Sequence, residues 1–523
     1  MNTSWASQFI DALKEGIIYP RWTPLNFWGY GNPTFILYGP LAFYMIAVFH
    51  IFSDSLIFAM KLAGLLSLFV SASGIFLLTR EIYNEKVAFI SGIVYIFFPF
   101  YIFDHYIGGF FPSSISIMWF PLILFFIIKY MKKSEYLYLL YAGVCYGGLI
   151  FTHLINAYMF TFIIITFIIY MSIAEKKPKY LFAIPIIVVA GLAISSTYLL
   201  PFIHEKQFIN YQAEIESFPI RYLFILPKYT NNFKPDFFWR ALYDEFLGYV
   251  ILFFAITILI LFGILRSNNL KIKKEINTFN KFLIGVSFFS LFMLFGPSIF
   301  LSEKIPFFNH IQPVRWLNIT AFAVVLLFSY FIYRIEIFSV SKLRRYSLLF
   351  AILLICLLLD YRYISSACSF EQQELFPAKA INWLTWILPK GINVNSLDKD
   401  SGLKEKVVVT KGEGDCKVVK WESANRIVEI TVNQATILRI RTFNFPGWTA
   451  YIDGVKTEIK TENDTGAILI DIPPGRHTMM LKFVDTPIVY YSKLISLASF
   501  SGIIILVIFK KKKIHGIQMR TLQ

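Results

Sequence analysis

Residues 16–41, with the sequence GIIYPRWTPLNFWGYGNPTFILYGPL, form the stretch around which the rest of the chain is organised. This is the longest irregular run before the apolar segments begin, and it is rich in aromatic residues, proline and glycine. We predict that it forms part of an active site at a membrane surface. We also expect the sequence to begin too late to contain the whole of that site.

The composition excludes a soluble globular domain. Hydrophobic residues make up 57% of the 523 residues, and charged residues make up only 16%, against about 25% in soluble domains. The net charge is +16, but it does not indicate a nucleic-acid-binding protein. Lys and Arg lie in short loops between apolar runs, where the positive-inside rule places them.

About twelve apolar segments have the length of a transmembrane helix. They are residues 35–52, 55–78, 87–104, 113–130, 136–152, 154–173, 180–203, 246–265, 281–301, 318–337, 344–362 and 488–509. Basic loops fall at every second connection, which predicts that these loops and the C-terminus are cytoplasmic. The other connections, including residues 363–487, are then extracytoplasmic.

The first apolar segment has two possible placements. If residues 35–52 span the membrane, the opening stretch is cytoplasmic; if they lie in the outer interface, it is external. Gly39 and Pro40 inside the segment, and the lack of a charged loop before Ser55, favour the interfacial placement. That placement requires a further spanning helix upstream of Met1.

Residues 363–487 are predicted to form a β-rich domain. After a short helix near Pro377 to Trp386, seven strand-like runs alternate with turns, with hairpin turns at Asp453-Gly454 and at residues 473–475. This pattern suggests a small antiparallel β-sandwich. The predicted division of the chain is 1–54 (first external loop with interfacial helices), 55–362 (transmembrane bundle), 363–487 (extracytoplasmic domain), 488–509 (last transmembrane helix) and 510–523 (basic cytoplasmic tail).

Candidate site residues lie on the predicted external side. Asp104 and His105 sit where a helix leaves the membrane; they are a general-base or metal-ligand pair, or simply a solvated helix end. His153 lies at an external turn, as an assisting group or as a plain turn residue. Arg315 precedes a helix on the same side and is suited to phosphate, or it anchors lipid headgroups. Arg21 faces the same choice.

Trp22 and Tyr30 complete the predicted substrate-binding set of Arg21, Trp22, Tyr30 and Arg315, and Asp104 is the one predicted metal ligand, for a divalent cation. The middles of the apolar segments hold almost no ionisable residues, which weakens a transporter hypothesis. No nucleotide-binding or zinc motif is present. Because an external enzyme lacks cytosolic nucleotides, its activated donor is expected to be a polyprenyl-phosphate-linked sugar.

At these residues the sequence resembles a known family. YPRWTPLNFWGYGNPTFILYGPL, PFYIFDHY, the THL at 152–154 and IQPVRWL at 311–317 are similar to the bacterial and archaeal multi-pass membrane proteins known as 6-pyruvoyl-tetrahydropterin synthase-related. NFPGWTAYIDG, IPPGRH and DTPIVYYSKLIS extend the resemblance to the C-terminus. These proteins look like GT-C-type glycosyltransferases, so the resemblance implies a GT-C-like helical bundle and sugar transfer from a lipid-linked donor at the outer face.

The sequence departs from the pattern of this family in two places. The family carries an acidic residue after a first transmembrane helix, and the sequence begins about where that residue would already have passed. An Arg is also usual near the last helix, where Val489 stands here. Two alternatives to the glycosyltransferase remain open, which are a lipid or glycan transporter and a non-catalytic envelope scaffold.

Overall fold

The computed structural model describes part of the chain. The described residues are 2–106, 110–210, 273–306, 308, 311–337, 354, 358, 361, 387–393, 395–397 and 405–521. The predicted segment 246–265, nearly all of 344–362, and the predicted helix near Pro377 to Trp386 lie outside them.

The described helices are short at the N-terminus and longer in the middle of the chain. They are α1 Asn2–Lys14, α2 Thr34–Leu37, α3 Leu41–His50, α4 Leu56–Ile82, α5 Glu85–Ile96, α6 Pro99–Tyr106, α7 Phe111–Ser116, α8 Trp119–Lys133, α9 Leu137–Thr152, α10 Leu154–Glu175, α11 Ala183–Ile194, α12 Ser196–Glu205, α13 Lys274–Phe292, α14 Ile299–Lys304, α15 Trp316–Ile337 and α16 Pro487–Thr521.

Six helical segments among the described residues are long and apolar enough to cross a membrane, and a seventh is added if the helices that meet at Ser195 cross as one. The six are Leu56–Ile82, Glu85–His105, Phe111–Lys133, Leu154–Glu175, Pro313–Arg334 and Pro487–Lys510. The prediction of a multi-pass helical protein is confirmed. The predicted number of eleven or twelve spans includes segments outside the described residues.

Several predicted spans are interrupted. The prediction of one span at residues 281–301 is wrong in its bounds. Helix α13 ends at Phe292, and a 3-10 turn at Gly296–Ser298 precedes α14. Proline at residue 297 explains this break, since it lacks the N–H that a continuing helix needs. Within residues 35–52, α3 has ten residues. It rises about 15 Å, half of the ~30 Å hydrocarbon core, so it is too short to cross the membrane by itself.

The C-terminal region contains two antiparallel sheets. Its strands are β1 Val407–Lys411, β2 Gly414–Trp421, β3 Asn425–Val432, β4 Thr436–Phe443, β5 Trp448–Ile452, β6 Val455–Thr457, β7 Lys460–Thr461, β8 Ala467–Ile472 and β9 Gly475–Phe483. One sheet has the order β1-β4-β8-β7 and the other β2-β3-β9-β5-β6. The seven predicted strand runs are confirmed as β1–β5, β8 and β9, and the predicted β-rich fold of this region is confirmed.

The two predicted turns differ in outcome. Asp453 and Gly454 join β5 to β6 as a hairpin, and both residues have the positive φ (49° and 84°) that a tight two-residue turn requires. Residues 473–474 join β8 to β9. These strands belong to different sheets, so the prediction of a second hairpin is wrong. Pro473 and Pro474 lack backbone N–H groups and are suited to a crossing between sheets rather than to a ladder.

The chain divides into two compact units. Unit 1 contains Met1–Ala63, Ser195–Ser217 and Ser369–Ala498, and unit 2 contains Gly64–Ile194, Phe218–Cys368 and Ser499–Gln523. Unit 1 therefore combines the opening stretch with the two sheets. Unit 2 contains most of the membrane-length helices.

In unit 1 the opening stretch is a closed, packed loop. Thr23 and Asn32 pair through two backbone hydrogen bonds of 2.9 and 3.1 Å. Trp22 packs perpendicular to Trp448, with 5.5 Å between ring centroids. Gly31 has φ +73°, and a Cβ there would lie 2.3 Å from Nε1 of Trp22. Only glycine fits this position, because both the backbone conformation and the space exclude a side chain.

In unit 2 small residues allow close packing of α9 on α11. A Cβ on Gly143 would lie 2.6 Å from Cβ of Ala190, and a Cβ on Gly191 would lie 2.3 Å from the Tyr146 ring. Packing through small residues is typical of membrane helices, where hydrophobic burial does not drive helix association. The packing of α11 thus fixes the position of α9, the helix that leads into α10.

Candidate active site

His153 lies at the sharp junction between α9 and α10 in unit 2. Its φ and ψ of −157° and 105° are extended, so the chain passes from one helix to the next within a single residue. Nδ1 of His153 accepts the backbone N–H of Asn156 at 3.1 Å and so caps α10. Because Nδ1 is the acceptor, the proton of the neutral imidazole is on Nε2.

Arg315 reaches the same place from another part of the chain. It ends the 3-10 turn Pro313–Arg315 that leads directly into α15. Nη1 of Arg315 lies 3.4 Å from Nε2 of His153. The guanidinium carbon also lies 5.0 Å from the centroid of the Phe110 ring, within cation–π distance. The fold thus brings together two predicted site residues that are 162 positions apart in the sequence.

The contact between His153 and Arg315 joins two hydrogen-bond donors. A guanidinium group has donors only, and Nε2 of His153 carries the ring proton. Neither nitrogen therefore accepts a hydrogen bond from the other at 3.4 Å. The nearby positive charge of Arg315 also disfavours a charged imidazole. An oxygen atom beside both nitrogens would accept from both, which is the geometry of an anion site.

Asp104 supplies a buried carboxylate in the same unit. It lies on α6 with its side chain buried. Burial disfavours the charged carboxylate, and the positive charge of Arg315 favours it. In the described part of the chain, no donor bonds Oδ2 of Asp104. A buried acceptor without a donor is costly. The atom therefore keeps its capacity to accept a hydrogen bond, for example from the hydroxyl group of a ligand.

His105 follows Asp104 on α6 but has different neighbours. Nδ1 of His105 lies 3.2 Å from Oγ of Ser114. A Cβ on Gly64 would lie 2.5 Å from Nε2 of His105, so the ring packs directly on the backbone of α4. Consecutive helix residues project about 100° apart around the axis. Asp104 and His105 therefore do not face one ligand as an adjacent pair.

A second polar layer lies one helical turn beyond the first on both helices. Asn156 follows His153 by three residues, and Asn318 follows Arg315 by three, so each amide shares a helix face with the residue before it. Nδ2 of Asn156 lies 3.1 Å from Oγ of Ser113, and Nδ2 of Asn318 lies 3.4 Å from the same atom. The Oδ1 atoms of both amides are buried without a hydrogen-bond donor from any described residue.

The predicted metal role of Asp104 finds little support in the donor set. No group of three or more His, Cys, Asp or Glu side chains that could hold a metal ion is found among the described residues. His153 directs Nε2 toward a guanidinium, and His105 directs Nδ1 toward Ser114. A divalent cation would thus find one carboxylate beside a positive charge. These residues do not fit such a cation, and no chemical step is assigned to it.

The remaining predicted residues belong to unit 1. Arg21 is buried; its Nη2 donates to the Val484 carbonyl at 3.0 Å and lies 3.4 Å from Oδ1 of Asp485. Nη1 lies 3.6 Å from Oε2 of Glu205. The guanidinium carbon is 4.7 Å from the centroid of the Phe483 ring. Arg21 therefore holds together the opening stretch, the end of α12 and the segment before α16.

Trp22 and Tyr30 are packed in the interior of unit 1. The Trp22 ring is surrounded by aromatic side chains of the β-rich region, including Trp448 at 5.5 Å between centroids. Tyr30 is stacked on Phe443 at 4.8 Å, and its hydroxyl accepts a hydrogen bond from Nη2 of Arg439 at 2.5 Å. Both rings are almost completely buried. Their substrate-binding role stays a prediction, and the contacts seen here are structural.

The comparison with protein families settles the relationship of this chain. The model of the 6-pyruvoyl-tetrahydropterin synthase related domain, described as a membrane protein, matches residues 35–368. This region is more than half of the chain. The chain belongs to this family. The family resemblance of the sequence is thereby confirmed, and the chain is a membrane protein.

The family match includes the site of unit 2 and leaves out the opening residues. Asp104, His105, His153 and Arg315 lie inside the matched region, whereas Arg21, Trp22 and Tyr30 precede it. Val489, where the resemblance implies an Arg, is fully buried in unit 1. Val489 is apolar and therefore cannot bind a charged ligand group as an Arg would.

Other comparisons add less. A crystal structure of the oligosaccharyltransferase of Archaeoglobus fulgidus in complex with Zn and sulfate is similar, with 15% identity and a TM-score of 0.33. The similarity covers 76% of this chain and 57% of that protein, so this chain spans little more than half its length. Similarity at this level supports no functional argument. No curated protein matches the sequence.

The sequence interpretation missed several polar residues of this family member. In unit 2 these are Ser113, Asn156 and Asn318, and in unit 1 they are Glu205, Asp485 and Lys493. The spacing of three between His153 and Asn156, and between Arg315 and Asn318, was a visible signal of shared helix faces. No local pattern marks Glu205 or Asp485, because their partner Arg21 is far away in the sequence.

Proposed function

We propose that this chain is a membrane glycosyltransferase that transfers a sugar from a polyprenyl-phosphate-linked donor to an acceptor of the cell envelope. One observation carries the proposal, which is the 3.4 Å approach of Nη1 of Arg315 to Nε2 of His153. Both atoms are donors, so a phosphate oxygen beside them receives two hydrogen bonds, one of them charge-assisted. Phosphate is the leaving group of such a donor.

The reaction follows from the chemistry of these groups. The acceptor hydroxyl oxygen bonds to the anomeric carbon, the bond from that carbon to the phosphate oxygen breaks, and its electron pair stays on the phosphate. Arg315 and His153 stabilise the negative charge that develops there. Asp104 takes the hydroxyl proton as the general base. Attack opposite the phosphate inverts the anomeric centre, as the resemblance to GT-C-type enzymes implies.

The proposal assigns supporting roles to the other predicted residues. His105 assists as a positioning residue, because its contacts with Ser114 and with the backbone of α4 hold the end of α6 that carries Asp104. Within unit 1, the predicted substrate-binding set is Arg21, Trp22 and Tyr30, and Arg21 is its charged member. The distribution of basic loops supports catalysis on the outer face, with residues 363–487 outside and the C-terminus in the cytoplasm.

The test uses membranes that contain the full chain and a radiolabelled polyprenyl-phosphate sugar. We expect Arg315→Ala to lower the release of polyprenyl phosphate about 100-fold or more, because it removes a charge-stabilising donor, and Asp104→Asn to lower it about 100-fold or more, because it removes the general base. Lys304→Gln, at an exposed position of the same unit, is the matched control and keeps full activity. Full transfer by both site variants refutes the proposal. Movement of the labelled lipid across vesicles without a glycosidic product would instead indicate a transporter.

A further inference from the structure

A cavity of about 220 Å³ lies in unit 1 beside Arg21. Its wall consists of the loop of residues 16–22, the turn at residues 423–424, and the side chains of Phe483, Asp485 and Lys493. Lys493 lies in the first turns of α16, which contains the last of the membrane-length segments. The cavity is therefore next to the point where this helix begins.

Several residues of the cavity wall carry donors that lack an acceptor among the described residues. In the described part of the chain, the backbone N–H groups of Ile18, Tyr19, Arg21 and Trp22 make no hydrogen bond. Nη1 of Arg21 also has no hydrogen-bond acceptor among the described residues, although Glu205 lies 3.6 Å away. Arg21, Tyr19 and Trp22 are all buried. Nη1 of Arg21 is itself buried, and a buried donor is normally satisfied, so the cavity is suited to a ligand with acceptor oxygens.

The charges around the cavity favour an anion that replaces Asp485. Asp485 bridges the two cations, with Oδ1 at 3.4 Å from Arg21 and Oδ2 at 2.6 Å from Lys493. Its side chain is 35% exposed, whereas that of Glu205 is fully buried behind Arg21. When the Asp485 side chain rotates into the solvent, the charges that remain are those of Arg21, Lys493 and Glu205. Their sum is one positive charge. A phosphodiester group carries one negative charge and matches it.

The surroundings of the cavity favour a lipid as the carrier of this phosphate. Ile18, on the cavity wall, is 85% exposed. Tyr490, Tyr491 and Leu494, which flank Lys493 on α16, are exposed as well. Aromatic residues at the start of a membrane helix are typical of the interface, where lipid headgroups lie. An anionic group at this depth is most readily supplied by a lipid headgroup.

We propose that this cavity binds the phosphate group of a membrane lipid through Arg21 and Lys493, and that the phosphate displaces Asp485 from both. This inference rests on the proposed function only in that both use Arg21 as a binding residue. The ligand is recognised by its phosphate group and does not have to carry a sugar. Binding and glycosyl transfer can therefore fail separately.

The experiment measures binding to the purified full-length protein in detergent. The probe is dihexanoylphosphatidylglycerol, and binding is read from the rise of the thermal unfolding midpoint with ligand concentration. We expect Lys493→Gln to weaken binding at least fivefold and Lys493→Arg to restore it. Asp485→Asn is expected to strengthen binding at least threefold, because it removes the competing carboxylate. Lys482→Gln, at an exposed neighbouring position, is the matched control without effect.

Two further probes distinguish the source of the phosphate. Dihexanoylglycerol, which lacks the phosphate, is expected not to bind, and inorganic phosphate is expected to bind at least tenfold more weakly than the lipid. Equal affinity for inorganic phosphate would overturn the assignment to a lipid. Equal binding of the lipid to the wild type and to Lys493→Gln would overturn the site itself.

Discussion

His153 has two functions in the structure that a substitution can separate. Nδ1 caps α10 by accepting the backbone N–H of Asn156 at 3.1 Å, and Nε2 lies 3.4 Å from Arg315 as a donor. Asparagine is among the best N-cap residues, so His153→Asn keeps the cap. It lacks the second ring nitrogen, and therefore loses the donor beside Arg315. His153→Ala loses both.

The magnitudes of the two effects differ. Loss of an N-cap costs about 1 kcal/mol of stability, so His153→Ala is expected to be less stable than the wild type by about that amount, and His153→Asn to be nearly unchanged. Loss of one donor to a developing negative charge costs roughly 100-fold or more in rate. Both variants are therefore expected to lose activity by about two orders of magnitude, although only one of them loses stability.

The measurement combines thermal unfolding in detergent with the release of polyprenyl phosphate from a labelled donor. A His153→Asn variant that is stable and inactive supports a donor role for Nε2. If His153→Asn keeps wild-type activity, His153 acts only as a helix cap, and the phosphate site proposed for it and Arg315 is refuted.

Two further predictions concern unit 1. Gly31→Ala is expected to destabilise the protein by about 3 kcal/mol, because it combines a left-handed backbone with a Cβ 2.3 Å from Nε1 of Trp22. Gly16→Ala is the control: Gly16 has φ +86° but open space around it, so this variant is expected to lose only the backbone contribution of about 1 kcal/mol. Equal unfolding midpoints for the two variants would contradict the steric argument. Asp453→Asn is expected to lower the unfolding midpoint slightly at pH 5.5 and not at pH 9. The hydrogen bond with Asp453 raises the pKa of His477 above 6.5, and the bond with His477 lowers the pKa of Asp453 below 3.8. Between the two pKa values His477 is positive and Asp453 is negative, so the ion pair stabilises the fold. This stabilisation is lost as the pH rises through the pKa of His477 or falls through that of Asp453. If Asp453→Asn changes the unfolding midpoint equally at pH 5.5 and pH 9, an ionic contribution is excluded.

The strands of the C-terminal region could be predicted from the sequence because their signals are local. Every second residue is buried from Arg426 to Val432 in β3 and from Ile468 to Ile472 in β8, and Asp453-Gly454 is a strong turn signal. Helix breaks were harder to predict. An apolar run such as 281–301 passes a hydropathy test as one segment, although the turn at Gly296–Ser298 divides it. The pairing of β8 and β9 with different sheets depends on packing between distant strands and has no local signal.

The individual site residues of unit 2 could be predicted, but their mutual geometry could not. Asp104, His153 and Arg315 were recognised as polar residues at the ends of apolar segments. The 3.4 Å approach of Arg315 to His153 depends on how α10 and α15 pack. The proton position on His153 depends in turn on the backbone N–H of Asn156. Both facts are needed to recognise that two donors converge, and neither is present in the sequence pattern.

The order of polar groups in unit 2 bears on the choice between transfer and transport. The charged or ionisable members of the cluster, Asp104, His153 and Arg315, lie near helix ends, and the next layer along α10 and α15 contains the neutral amides of Asn156 and Asn318. A path for ions needs ionisable groups deeper in the membrane. Two buried amide oxygens that receive no hydrogen bond from the described residues can instead accept from the hydroxyl groups of a sugar. Among the described residues, this arrangement supports the proposal of chemistry on a lipid-linked sugar over the alternative of transport.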